Sequence, residues 1–222
     1  MRRGGQCEFK YTAGRGGARK GAGRRRLGAR PRVPHRKRAP HIGREPVHVT
    51  KRVCPGVPSL RAPRVFHALL EAIDRGNKEH FRIVAFSVQD DHVHLIVEAD
   101  DQQSLTSGMR GLSVRAARAI NRAAVRTGTV WNDRFHAQAQ RSPTQMRATL
   151  VYVLFNFRKH RPADRAPFDP CSSAPWFKGF QYPLPAPSLP APVRPPHTWL
   201  ARTGWQRAGG PLHLTDSPAA SS

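Results

Sequence analysis

The chain has 222 residues, enough for one domain of ordinary size with tails. Its 38 Lys and Arg against 14 acids give a formal charge of +24, which points to a polyanionic partner, most simply nucleic acid. No apolar run approaches the roughly 18 residues of a membrane span, and the odd, widely spaced Cys7, Cys54 and Cys171 support neither a disulfide framework nor a zinc knuckle. Met1-Arg2-Arg3 is not followed by an apolar core, so no signal peptide is expected and the cytoplasm, beside the nucleoid, is the expected location. Arg outnumbers Lys 31 to 7. A GC-rich genome would exchange Lys for Arg in this way, but it would not remove acids.

Residues 1–44 carry 15 basic residues and the single acid Glu8, a net +14 against +10 for the rest. With almost nothing to bury, this arm is expected to be disordered. Gly21-Ala22-Gly23-Arg24-Arg25-Arg26 and Ala29-Arg30-Pro31-Arg32 read either as degenerate minor-groove hooks or as a generic arm binding phosphate through Arg24, Arg25 and Arg26. Periodic structure begins at Pro46. Residues 47–53 alternate as a strand, and Val65, Ala68, Leu69, Ala72 and Ile73 form a helical stripe within residues 64–78. Two apolar runs, 81–86 and 95–97, meet at a Gln89-Asp90-Asp91 turn, which predicts a hairpin. Residues 102–126 read as a long helix with Leu105, Met109, Leu112, Ala116 and Ile120 on one face. A strand over 135–140 and a helix opened by Ser142-Pro143 complete the pattern.

The order β-α-β-β-α-β-α predicts an α+β domain over 45–161. Its antiparallel-rich sheet is close to a ferredoxin-like split βαβ, with helices packed on one side and disordered tails flanking the domain. Residues 162–222 are Pro-rich. They are expected to dock through Trp176 and Phe177 and to be mostly disordered after 181.

His92-Val93-His94 lies at the start of the second hairpin strand. Strand side chains alternate, so both imidazoles leave one face, about 6–7 Å apart along the chain. That spacing suits two ligands of one divalent ion. On the last helix, Met146, Leu150, Val153, Leu154 and Phe157 form the core stripe, while Tyr152, Asn156 and Lys159 fall on another face. Two neutral imidazoles and an amide oxygen suit Mg²⁺ or Mn²⁺. A Tyr hydroxyl, with a pKa of about 10, becomes a useful nucleophile beside a metal that polarises phosphorus.

These residues resemble the HUH single-tyrosine transposases of the IS200-like superfamily, and within them the REP-associated tyrosine transposases. The resemblance runs from about Pro46 to His160. It is carried by Pro46-Val47-His48-Val49-Thr50, His92-Val93-His94-Leu95, Gly128-Thr129-Val130-Trp131-Asn132-Asp133-Arg134-Phe135-His136 and Tyr152-Val153-Leu154-Phe155-Asn156. It implies that His92, His94 and Asn156 bind a divalent ion and that Tyr152 attacks DNA. The implied activity is that of a DNA transposase, nicking and rejoining single-stranded or hairpin DNA with palindromic repeats through a 5′-phosphotyrosine. A decayed or domesticated nucleic-acid-binding protein is the alternative, and both a monomer and a homodimer with exchanged tyrosine helices fit. One departure is Asp90-Asp91, where an Asn often precedes the first His. These acids could tune the metal or repel DNA phosphate. His48 and His136 read as structural or DNA-contacting residues, and Glu98 as too far along the strand to ligate. Arg115, Arg118, Arg122 and Arg126 form a basic stripe expected to track phosphates. Trp131 and Phe135 read as core residues before base-stacking ones.

Overall fold

The computed structural model describes residues 40–161, 166–185 and 187–218. Four strands, β1 (Val47–Arg52), β2 (Phe81–Val88), β3 (His92–Ala99) and β4 (His136–Ala139), form one antiparallel sheet in the order β2-β3-β1-β4. Helix α1 (Pro63–Asp74) connects β1 to β2, and α2 (Gln102–Ala123) connects β3 to β4. Helix α3 (Pro143–Phe155) and the single turn α4 (Phe157–His160) follow. This is the expected α+β order with the ferredoxin-like strand arrangement.

Alternation along the strands divides the core in two. The odd residues Val47, Val49, Val93, Leu95 and Val97 pack against α1 and α2, whose buried stripes include Val65, Leu69, Ile73, Leu105, Met109, Leu112 and Ile120. Placement on one side holds for these two helices. Helix α3 lies on the other face, where Ala85 and Ile96 meet Met146, Leu150, Val153 and Leu154. Local signals account for the helix starts. Asp101 accepts from the Ser104 backbone at 2.7 Å, and Ser142 accepts from the Gln145 backbone at 3.2 Å, each satisfying an orphan amide. Helix α2 ends in a clamp: Arg126 donates to Asn121 Oδ1 at 2.6 Å, and Asn121 donates to the Gly128 carbonyl at 2.9 Å. Helix α1 stops at Asp74, short of Lys78, because Asn77 turns back and donates to the Ile73 and Asp74 carbonyls.

The segment after 181 corrects the expected disordered tail. Residues Trp199–Arg202 form helix α5 and Gly204–Ala208 a 3-10 turn, with Leu200, Ala201, Trp205 and Leu212 buried against α3. The physical reason is one buried carboxylate. Glu98, 1 % exposed, accepts from the backbone amides of His197 and Thr198 at 2.8 and 3.0 Å and from the Thr198 hydroxyl at 2.7 Å. Trp176 and Phe177 dock as expected, against Phe86 and Trp205. A second anchor is the fork between Arg61 and Asp169, two contacts of 2.7 Å.

Candidate active site

Register assembles the site on the face covered by α3. Thr50 is the cross-strand partner of His94, Arg52 of His92, and His48 of Ile96, so these even-numbered side chains share one face. The His92 and His94 rings stand 4.7 Å apart, nearly perpendicular. Tyr152 reaches them from α3, its ring 5.0 Å from His94 and 5.7 Å from His48. His160, two helical turns on, places its ring 5.3 Å from His92. Asn156 lies midway in sequence between Tyr152 and His160, at the junction of α3 and α4. It is fully buried, and both its amide nitrogen and its amide oxygen have no partner. Helix α3 is covered on one side by the sheet and on the other by the α5 segment.

The two imidazoles are held differently. Asp91 Oδ1 lies 2.6 Å from His92 Nδ1. A carboxylate can only accept, so Nδ1 carries the proton and Nε2 presents a lone pair. His94 Nδ1 lies 3.2 Å from His48 Nε2 and 3.1 Å from Thr50 Oγ1, while its Nε2 is buried without a partner. Burial keeps the cluster neutral. It lowers His48 to about 4, helped by His136. It lowers His92 to about 4, helped by the Arg52 charge and then His160. His94 falls to about 2, by burial and then by His92 and His48. Burial raises Tyr152, and the nearby Arg52 charge acts against that rise.

The acids that could have repelled DNA are both paired. Asp91 joins Arg52 as well as His92. Asp90 accepts from Ser59 at 2.5 Å and from Arg161 at 2.8 Å, which holds its carboxyl below the usual range.

The basic stripe is elsewhere. Arg115, Arg118 and Arg122 line a groove of the α1–α2 layer with Arg75, Arg110 and Glu71, across the sheet from Tyr152. Arg126, the last of the stripe, donates to Asn121 Oδ1 and to the Thr129 carbonyl. Lys159 is exposed on α4, and Arg24, Arg25 and Arg26 lie outside the described residues. Trp131 donates to the Ser113 carbonyl and packs on the core, as expected of it. His160 is the residue that sequence reasoning missed, while His48, read as structural or DNA-contacting, joins the cluster beside His94. His160 had a readable signal, since Tyr152, Asn156 and His160 recur every fourth residue. The contact between His48 and His94 had no local signal, because it depends on which strand pairs with β1.

The sequence model of the family described as IS200-like transposase matches residues 64–153, from α1 through Tyr152. That segment of the chain is similar to the IS200-like transposases. A structure of a REP-associated tyrosine transposase bound to a REP hairpin shares the fold of this chain. Its TM-score is 0.52 at 20% identity, over 64% of this chain and 82% of that one. A protein of Deinococcus radiodurans R1, solved as a candidate transposase, aligns over 52% of this chain and 90% of its own at 17% identity, with a TM-score of 0.38. No curated protein matches the chain. No helix among the described residues is long and apolar enough to cross a membrane.

The candidate donors are chemically suited to a divalent ion. Among the described residues no three His, Cys, Asp or Glu side chains are grouped to hold a metal by themselves. The fit therefore rests on two neutral imidazoles together with an amide: His94 Nε2 and both polar atoms of Asn156 are buried without partners.

Proposed function

We propose that this chain is a metal-dependent DNA transposase that cleaves and rejoins single-stranded or hairpin DNA through Tyr152. The approach of Tyr152 to His94 and His48 within one chain, at ring separations of 5.0 and 5.7 Å, carries the reading. The similarity to IS200-like transposases, the charge of +24 and a structural relative solved with a REP hairpin support DNA as the substrate. On this reading the protein works in the cytoplasm beside the nucleoid. The approach of Tyr152 to His94 within one chain supports a monomer as the active unit on this reading.

His92, His94 and Asn156 would hold Mg²⁺ or Mn²⁺. When bound, the ion would polarise the phosphoryl group and offset the charge gathering on its oxygens. Tyr152 Oη attacks phosphorus and releases its proton to solvent, with the Arg52 charge favouring the phenolate. The bond from phosphorus to the 3′ oxygen breaks, and that oxygen takes up a proton. The products are a 5′-phosphotyrosine and a free 3′-hydroxyl, so the energy of the phosphodiester is conserved for rejoining. Arg115, Arg118, Arg122, Lys159 and the arm residues Arg24, Arg25 and Arg26 bind phosphates.

Incubation with hairpin-bearing single-stranded oligonucleotides and Mn²⁺ or Mg²⁺ tests this. Wild type should form an SDS-stable protein–DNA adduct and Tyr152→Phe should form none. An equal adduct from Tyr152→Phe, or none from wild type, would overturn it, and cleavage without an adduct would point to water as the nucleophile. A second reading, DNA binding without chemistry, draws on the Arg-lined groove lying across the sheet from Tyr152. Binding that survives chelation and Tyr152→Phe, with no product under any metal, would favour it.

A further inference from the structure

The proton on His94 has two possible places, and its neighbours decide between them. Nδ1 lies within hydrogen-bond reach of His48 Nε2, at 3.2 Å, and of Thr50 Oγ1, at 3.1 Å. In one arrangement Nδ1 carries the proton and donates to this pair, leaving Nε2 as a bare lone pair. In the other, Nδ1 accepts from both neighbours, and Nε2–H is left as a buried donor with nothing to donate to. Buried donors without acceptors are rare because they lose the full hydration of the N–H group. The first arrangement is therefore the stable one.

We infer that His48 and Thr50 are positioning residues that hold His94 as its Nδ1-protonated tautomer and so present its Nε2 lone pair to a divalent cation. The cation rests on the function proposed above; the tautomer does not. The sheet builds the contact, since Thr50 is the cross-strand partner of His94 and His48 is the next residue of β1 on the same face. His92 reaches the same state by another device, the carboxylate of Asp91. One ligand is thus backed by a charged acceptor and the other by neutral ones. A neutral acceptor withdraws less of the Nδ1 proton, so His94 is the less basic ligand of the two.

Long-range ¹⁵N–¹H correlation NMR of the metal-free protein reads the tautomer directly. The wild type should show the His94 proton on Nδ1; a proton on Nε2 would overturn the inference. Calorimetric titration with Mn²⁺ then tests the consequence. The double variant His48→Phe/Thr50→Val should bind Mn²⁺ about 10- to 100-fold more weakly, and His48→Gln, which restores an acceptor, should recover most of the loss. A double variant with the wild-type circular dichroism and urea midpoint that binds Mn²⁺ equally well would overturn the positioning role. Should the double variant fail to fold, Thr50→Val alone and its His94 tautomer decide the matter, a mixed or Nε2-protonated signal being expected. A wild type with the expected tautomer but no affinity for Mn²⁺ would overturn the metal reading of the site and leave the tautomer assignment supported.

Discussion

Four imidazoles and one phenol within about two helical turns would be a poor core if any of them were charged. Burial, with help from positive neighbours, sets His48 and His92 near 4 and His94 near 2. The unfolded chain binds these protons at about 6.5. Between the two values the unfolded state holds more protons than the folded one, so stability rises with pH there. It should be complete above about 6.5 and fall as pH drops toward 4. Asp90 acts in the same direction but only below 3.8, and exposed His80, raised by Asp100, acts in the opposite sense. Urea unfolding in the presence of chelator checks this: the midpoint should fall steadily from pH 7 to 4.5, and a flat profile would mean the cluster is not neutral when folded. Asp91→Ala removes the acceptor of His92 Nδ1 and the partner of Arg52. It should weaken Mn²⁺ binding about 10-fold or more, read by calorimetry.

Among the elements, α2 offers a matched pair of glycines. A Cβ on Gly108 would meet Phe81 Cγ at 2.2 Å, whereas one on Gly111 would meet nothing within 4 Å. Helix propensity alone favours Ala over Gly at either position by about 0.8–1 kcal/mol. Gly111→Ala should therefore stabilise by about that amount. Gly108→Ala should destabilise by about 1–3 kcal/mol, because the close approach of α2 to β2 leaves no room to relax. Equilibrium urea denaturation separates the two, and the same sign for both would contradict the packing. The boundaries of the elements were largely readable in the sequence. The β2–β3 hairpin, the long α2 with its Leu105–Met109–Leu112 stripe and the Ser142 cap were all visible, because each is marked by local chemistry. The place of α3 was not, since its apolar stripe would suit either face of the sheet.

At the scale of the whole molecule, the segment beyond 181 belongs to the fold. Trp205, 2 % exposed, packs on Phe177, and the Gln206 and Leu212 region closes over α3. Trp205→Ala should cost about 3–5 kcal/mol, and ending the chain at 181 should strip Glu98 of its three donors and its cover and unfold the tyrosine helix first. Hydrogen exchange would show the loss at α3 before the strands; unchanged protection there would mean the segment is dispensable. The charge is likewise spread over two faces. Arg118→Ala with Arg122→Ala should weaken hairpin binding and reduce its salt slope by about 1 per lost phosphate contact, while Tyr152→Phe leaves affinity in place. An unchanged salt slope would remove the α1–α2 groove from the DNA interface.

The sequence by itself determined the element order and the net charge that argues for a polyanionic partner, and it singled out His92, His94, Tyr152 and Asn156 as candidates. These are local or compositional properties, written in strand alternation, helical period and net charge. Only the tertiary structure decided that Tyr152 meets the His pair of its own chain, that Asp90 and Asp91 are neutralised by Arg161 and Arg52, and that the Arg stripe lies across the sheet. It also decided that Glu98 and His48 have tasks at all. Each of these depends on which strand pairs with which and which face a helix covers. A side chain's partner there comes from 39 to 100 residues away, and no local pattern encodes it.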